Sequence, residues 1–186
     1  ETLDPLAKRF YIIAANHGQL LEKLKSAPGT PEVRRISKVI EDLLVTGDSR
    51  DKGIKLNLDD LSRTPAAEIA RAIIKEVTGH EGWSGCDVCD ARSAGNICPI
   101  FENRKRLGEV DDGSTFITRL ISLIELSERN GAHFPVRQLL ALAANSILGH
   151  PSPSVRDGLM TCNDVASIQA EGRIGDASIY RNIFGD

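Results

Sequence analysis

The stretch from Gly82 to Pro99 limits most strongly how this chain can fold. It carries Gly82, Gly85 and Gly95 with Cys86, Cys89 and Cys98, set as C-x-x-C followed by C-P. Between Trp83 and Asn96 there is little hydrophobic periodicity, so the segment reads as a small irregular insert that cannot bury a core of its own. Something outside its own apolar residues has to hold it. A C-x-x-C turn aims two thiolates at one point, and a third cysteine nearby approaches what a tetrahedral Zn²⁺ site requires. The fourth ligand is either Cys162, far along the chain, or His80, next to the insert. Buried or free thiols and a disulfide are the alternative readings. A catalytic zinc is disfavoured, because no H-x-E or H-E-x-x-H pattern accompanies the cysteines.

Composition removes several function classes. At 186 residues with a formal net charge of −3, the chain has no global field that draws it to nucleic acid or an anionic membrane. Aromatic residues make up 4%, too few for a single-strand stacking platform. The longest apolar run, Phe10 to Ala15, falls well short of the roughly 20 residues that span a bilayer. With no leader-like segment and a C-x-x-C spacing suited to a reducing compartment, a cytoplasmic protein is expected.

Along the chain, Phe10 to Ala15 is an apolar run of strand length ended by Asn16-His17-Gly18, the pattern of a central parallel strand. A short helix follows with Leu20, Leu21 and Leu24. Thr30 caps a helix opened by Pro31, with Val33, Ile36, Val39, Ile40, Leu43 and Leu44 at helical spacing. Ile54, Leu56 and Leu58 alternate with Lys55 and Asn57 and predict a second strand. Thr64-Pro65 opens a helix that stops at Gly79. After the insert, Pro99 to Leu107 predicts a short basic helix. Ser114 caps a segment with Phe116, Ile117, Leu120, Ile121 and Ile124, and Pro135 starts a helix with Leu139, Ala143 and Ile147. The remainder is polar until Ile179-Tyr180 and Ile183-Phe184, which predict a last short helix.

An apolar strand ending in Asn, a further strand and helix, and then a helical tail containing Phe134-Pro135-Val136-Arg137-Gln138-Leu139-Leu140 resembles the second half of an AAA-type P-loop ATPase. The cysteine insert and the closing Tyr180 to Gly185 resemble ATPases of bacterial defence and mobile-element systems. The resemblance implies a first sensor at Asn16, beside the γ-phosphate, and a second at Arg137, on a lid helix. It also implies ATP and Mg²⁺ in the full-length context, the rest of the ATPase chain as partner, and a homo-oligomer. No G-x-x-x-x-G-K-[ST] loop occurs in the sequence, and no apolar strand ends in Asp-Glu. Both would have to come from residues before Glu1, so the chain as it stands is not expected to hydrolyse ATP.

The expected fold is therefore α/β followed by all-α. Residues 1–79 form a remnant of a parallel P-loop-type sheet with helices, 80–110 a zinc-binding insert, and 111–186 a helical lid. Metal ligands are Cys86, Cys89, Cys98 and Cys162. The expected function couples nucleotide state to lid movement. The alternative is a non-enzymatic zinc-stabilised module that binds protein or DNA through Arg104, Lys105 and Arg106, although three charges in an acidic chain also suit a solvated helix face. Asn16 is equally at home in an ordinary Asn-His-Gly turn, and Arg137 in a surface ion pair. His17, His133 and His150 lack ligand spacing and receive no role.

Overall fold

A computed structural model describes residues 12–49, 51, 53–109, 116–149 and 158–185. Among these the chain is helical: α1 (His17–Ser26), α2 (Pro31–Thr46), α3 (Ala66–Gly79), α4 (Pro99–Gly108), α5 (Phe116–Arg129), α6 (Val136–Leu148), α7 (Cys162–Ala170) and α8 (Ile179–Phe184). The described residues contain no strand or sheet, so the expected parallel-sheet remnant is corrected to an all-helical fold. An isolated antiparallel bridge between Gly149 and Leu159 is the nearest thing to β pairing. The cause is the missing partner. A strand exists only where neighbouring strands take up its N–H and C=O groups. Ile12 and Ile13 instead lie exposed, at 99% and 77%. At Ile54, Leu56 and Leu58 the alternation survives as half-buried side chains between exposed Lys55 and Asn57, without a ladder. Phe10 and Tyr11 fall outside the described residues, as do the Ser114 cap and His150.

The chain divides into two compact units, residues 1–60 and 61–186. In the first, α1 packs on α2. The Asn16 carboxamide oxygen accepts from the Gly18 N–H at 2.9 Å and so caps α1. Thr30 caps α2 through the Val33 N–H, and Pro31 stands at the first position, where its missing N–H costs nothing. α2 ends at Gly47, whose φ of 74° lets its N–H return to the Leu43 carbonyl. Val39 and Ile40 are buried. After the helix, Arg35 holds the Asp51 carboxylate through both Nε and a terminal nitrogen, the latter at 2.7 Å.

The second unit holds the core. Ala70 and Ile74 of α3, Leu107 of α4, Ile121 and Ile124 of α5, Leu139, Ala143 and Ile147 of α6, Val165 and Ile168 of α7, and Ile179 of α8 form one buried cluster. α6 packs against α3, α4 and α8, and α4 touches α3, α5, α6 and α7. The first turn of α3 follows Pro65 and has no local cap. The Glu128 carboxylate of α5 accepts the Ala66 N–H at 2.8 Å instead, placing an acid where the helix dipole favours it. Gly149 has to be glycine for room: a Cβ there would stand 2.5 Å from the Asn182 side chain.

Among the buried polar residues of this unit, Asn103 of α4, 2% exposed, is the one whose side chain joins three elements. Its amide nitrogen donates to the Ala177 carbonyl at 2.8 Å and to the Ile147 carbonyl at 3.2 Å. Its oxygen accepts the Ile179 N–H at 2.8 Å. One carboxamide thus serves the end of α6 and the start of α8 from within α4, using both donors and its acceptor.

Asn103→Ala strips partners from two buried carbonyls and one buried N–H and is expected to destabilise the chain by about 2–4 kcal/mol. The reading is a fall in the urea midpoint at unchanged slope. A second expectation concerns acid. The Arg35 hydrogen bonds hold the Asp51 carboxyl down at about 2, helped by the Gly53 N–H. A carboxyl lowered on folding stabilises above its unfolded value of about 3.9 and loses that contribution as pH falls toward 2. Asp51→Asn should flatten the acid-dependent loss of helical circular dichroism between those limits, and an unchanged profile would contradict the pairing.

Candidate functional site

The end of α3 is where the insert is fixed. A helix leaves its last carbonyls unpaired, and two side chains from outside α3 take them up. The Trp83 indole N–H donates to the Val77 carbonyl at 2.7 Å, and Arg104 Nε donates to the Thr78 carbonyl at 2.8 Å. The Arg104 guanidinium also lies 5.2 Å from the Trp83 ring centre and 5.9 Å from that of Phe101. The chain then runs through two 3-10 turns, Glu81–Cys86 and Asp90–Gly95. His80 caps the first, its Nδ1 accepting the Gly82 N–H at 3.0 Å.

Cys86 and Cys89 lie on a tight turn in which the Cys89 N–H points to the Cys86 carbonyl at 3.5 Å. Arg92 closes this turn from below. It donates to the Cys86 carbonyl at 2.6 Å and lies 3.5 Å over the Phe101 ring of α4. Cys98 is buried and stands at the N-cap position of α4, just before Pro99. Cys162 is exposed and is the first residue of α7. The N-terminus of α7 is set by a capping box, in which Thr161 and Asp164 serve each other's backbone N–H groups.

α7 is also tied to the insert further along. The Gln169 side-chain nitrogen donates to the Ala91 carbonyl at 2.9 Å and to the Ile97 carbonyl at 3.0 Å. The second half of the irregular stretch, from Ala91 to Ile97, is thereby held by one amide of a distant helix.

All four cysteines are free thiols. Burial raises the Cys86 pKa, and the neighbouring thiols of Cys162, Cys89 and Cys98 raise it further, while Arg104 lowers it. Cys162 follows Cys98 by 64 positions of chain, and the Gln169 clamp is what sets its helix against the insert. Among the described residues, no three His, Cys, Asp or Glu side chains are drawn into a coordination shell.

The other candidates are placed differently. Asn16 spends its side-chain oxygen on the α1 cap. Arg137 is exposed in the opening turn of α6, which contains no acid. The basic run of α4 is split: Arg104 is committed to Thr78 and the aromatic rings, Lys105 is exposed, and Arg106 stands 6.0 Å from the Tyr180 ring. Asn103 and Gln169 escape a reading of the sequence, since a single amide on a helix carries no spacing signal. Thr161-x-x-Asp164 could have marked α7, being the capping pattern that precedes a helix.

No family model matches the chain, and no curated protein or solved structure matches it either. Among the described residues no helix is long and apolar enough to cross a membrane.

The Gln169 clamp has a direct consequence. Gln169→Leu should loosen the insert while leaving the core intact, speeding amide exchange over residues 90–98 by about three- to tenfold, the effect of losing roughly 1 kcal/mol. Unchanged exchange there would mean that the clamp does not hold the insert.

Proposed function

We propose that this chain is the helical, lid-type part of an AAA-type ATPase, one that reads nucleotide phosphate through Arg137 and passes the signal through α6. The reading rests on the resemblance carried by Phe134 to Leu140. It is supported best by one observation, the placement of Arg137 on the helix against which α3, α4 and α8 pack. A cation in the first turn of a helix is poorly matched to the positive end of the dipole. With no acid in that turn to offset it, an incoming phosphate answers both the guanidinium and the unpaired N–H groups of the helix start.

In this role the chain does not hydrolyse ATP alone, since it contains no phosphate-binding loop. The loop, the Mg²⁺ ligands and the attacking water belong to another segment or subunit, in an assembly of like subunits. Arg137 stabilises charge on the transferred phosphoryl group, and movement of α6 carries the change to the rest of the helical unit. Asn16 takes no part in this mechanism, because its carboxamide already serves α1.

The test is ATP turnover by the ATPase that contains this chain. Arg137→Ala should lower turnover by about 10²-fold, the scale of losing one preorganised donor to transition-state charge, with circular dichroism unchanged. Arg137→Lys should recover only part of it, as a point charge lacks the bidentate fork. Wild-type turnover in both variants would refute the role.

A further inference from the structure

We propose that Cys86, Cys89, Cys98 and Cys162 bind one Zn²⁺ as a structural tetrathiolate site that fastens the start of α7 to the insert. The inference is independent of the ATPase reading. It starts from the placement of the ligands. Two come from one tight turn, one from the N-cap position of α4, and one from the first residue of α7.

The backbone around the insert cysteines is already fixed from within and from outside. Arg92 of the insert itself holds the Cys86 carbonyl, and Gln169, nearly two turns into α7, holds the carbonyls of Ala91 and Ile97. α7 is thus laid against the insert at its far end by Gln169, while Cys162 stands at its near end. Electrostatics agrees with the assignment. A zinc tetrathiolate carries a net charge of −2, and the Arg92 guanidinium stands at the turn that bears Cys86, with Arg104 nearby over the Trp83 ring. Gln169 sets the helix that Cys162 opens against the insert, whereas His80 has turned its Nδ1 to the Gly82 N–H. Cys162 is therefore the fourth ligand, and the site is closed to a catalytic water.

Chemistry gives such a site a purpose here. Among its described side chains the insert has no buried apolar one between Gly82 and Ile97, so much of the free energy that orders it has to come from elsewhere. Binding Zn²⁺ draws four thiols to about 2.3 Å from the metal and releases their protons to solvent, coupling metal binding to ordering of the insert. Zinc suits four soft thiolates without redox chemistry.

The experiment is elemental analysis of the purified chain, followed by Co²⁺ substitution read in the thiolate charge-transfer band. About one zinc per chain is expected. Cys162→Ser should reduce the band by about a quarter, one thiolate in four, and weaken Zn²⁺ binding at least tenfold. His80→Ala should leave both unchanged. If Cys162→Ser does not fold, the wild-type chain decides: a chelator should speed amide exchange in both the insert and α7, and added Zn²⁺ should restore protection. Zinc-free protein with four titratable thiols, loss of metal in His80→Ala but not in Cys162→Ser, or iron with acid-labile sulfide would each overturn the assignment.

Discussion

Asn103 governs how the helical unit closes. A carboxamide in an apolar core is costly unless each of its polar atoms finds a partner, and the penalty for failure falls on the partners too. Here its three bonds reach the end of α6, the 3-10 turn at Ile174–Ala177 and the first residue of α8. Apolar side chains alone can slide by a rotamer with little loss. A donor pair and an acceptor cannot, because their partners occupy fixed directions. The amide therefore selects one register for the C-terminal segment among the several that Ile179 and Ile183 would otherwise tolerate. Gly149 and Asn182 reinforce that choice: Asn182 donates to the Ser146 carbonyl at 3.2 Å across a gap that only glycine leaves open.

The insert follows a different logic. Its polar backbone is held by long side chains, two reaching in from helices, Arg104 of α4 at the end of α3 and Gln169 from α7, and one of its own, Arg92, reaching out over Phe101 of α4. Each anchor also belongs to something else, so the insert cannot loosen without exposing a carbonyl or an aromatic face. The arrangement reverses the usual relation between core and loop. The helices are complete through their apolar faces, and the loop takes its order from their edges.

Helices with a cap, a stop and a regular apolar stripe were legible in the sequence. Thr30-Pro31 to Gly47 in α2 carries all three signals, and Pro135 to Gly149 around α6 carries a proline start, a stop and a stripe without a side-chain cap. The strand reading of Phe10 to Ala15 failed over its described part, Ile12 to Ala15, because an apolar run reports that burial is wanted, without saying by what. Ile54 to Leu58 failed more instructively, since its side chains alternate in exposure as a strand's would while no second strand is found among the described residues. α7 was hidden by weak periodicity, and with it the Gln169 clamp on the insert. The C-x-x-C turn was visible locally, whereas the link of its insert to Gln169 depends on where the chain returns, 72 residues after Ile97 and 78 after Ala91, and spacing carries no trace of that.

A core fastened at fixed polar points transmits force differently from one held by apolar contact alone. Close-packed interiors are bistable or stiff and do not deform continuously. α6 is buried along Leu139, Ala143, Ser146 and Ile147 and is tied near its end to Asn103 and Asn182. Under the proposed function, a phosphate drawing on Arg137 therefore displaces α6 together with α3, α4 and α8, and the helical unit tilts as one body. A zinc-held α7 would extend that body to the insert. The exposed Val88 at the tip of the cysteine turn would then report a change made at the opposite end of the sequence order, with no rearrangement inside the core. A long lever, rigid at Asn103 and capped by metal, suits a lid whose output is position rather than a new fold.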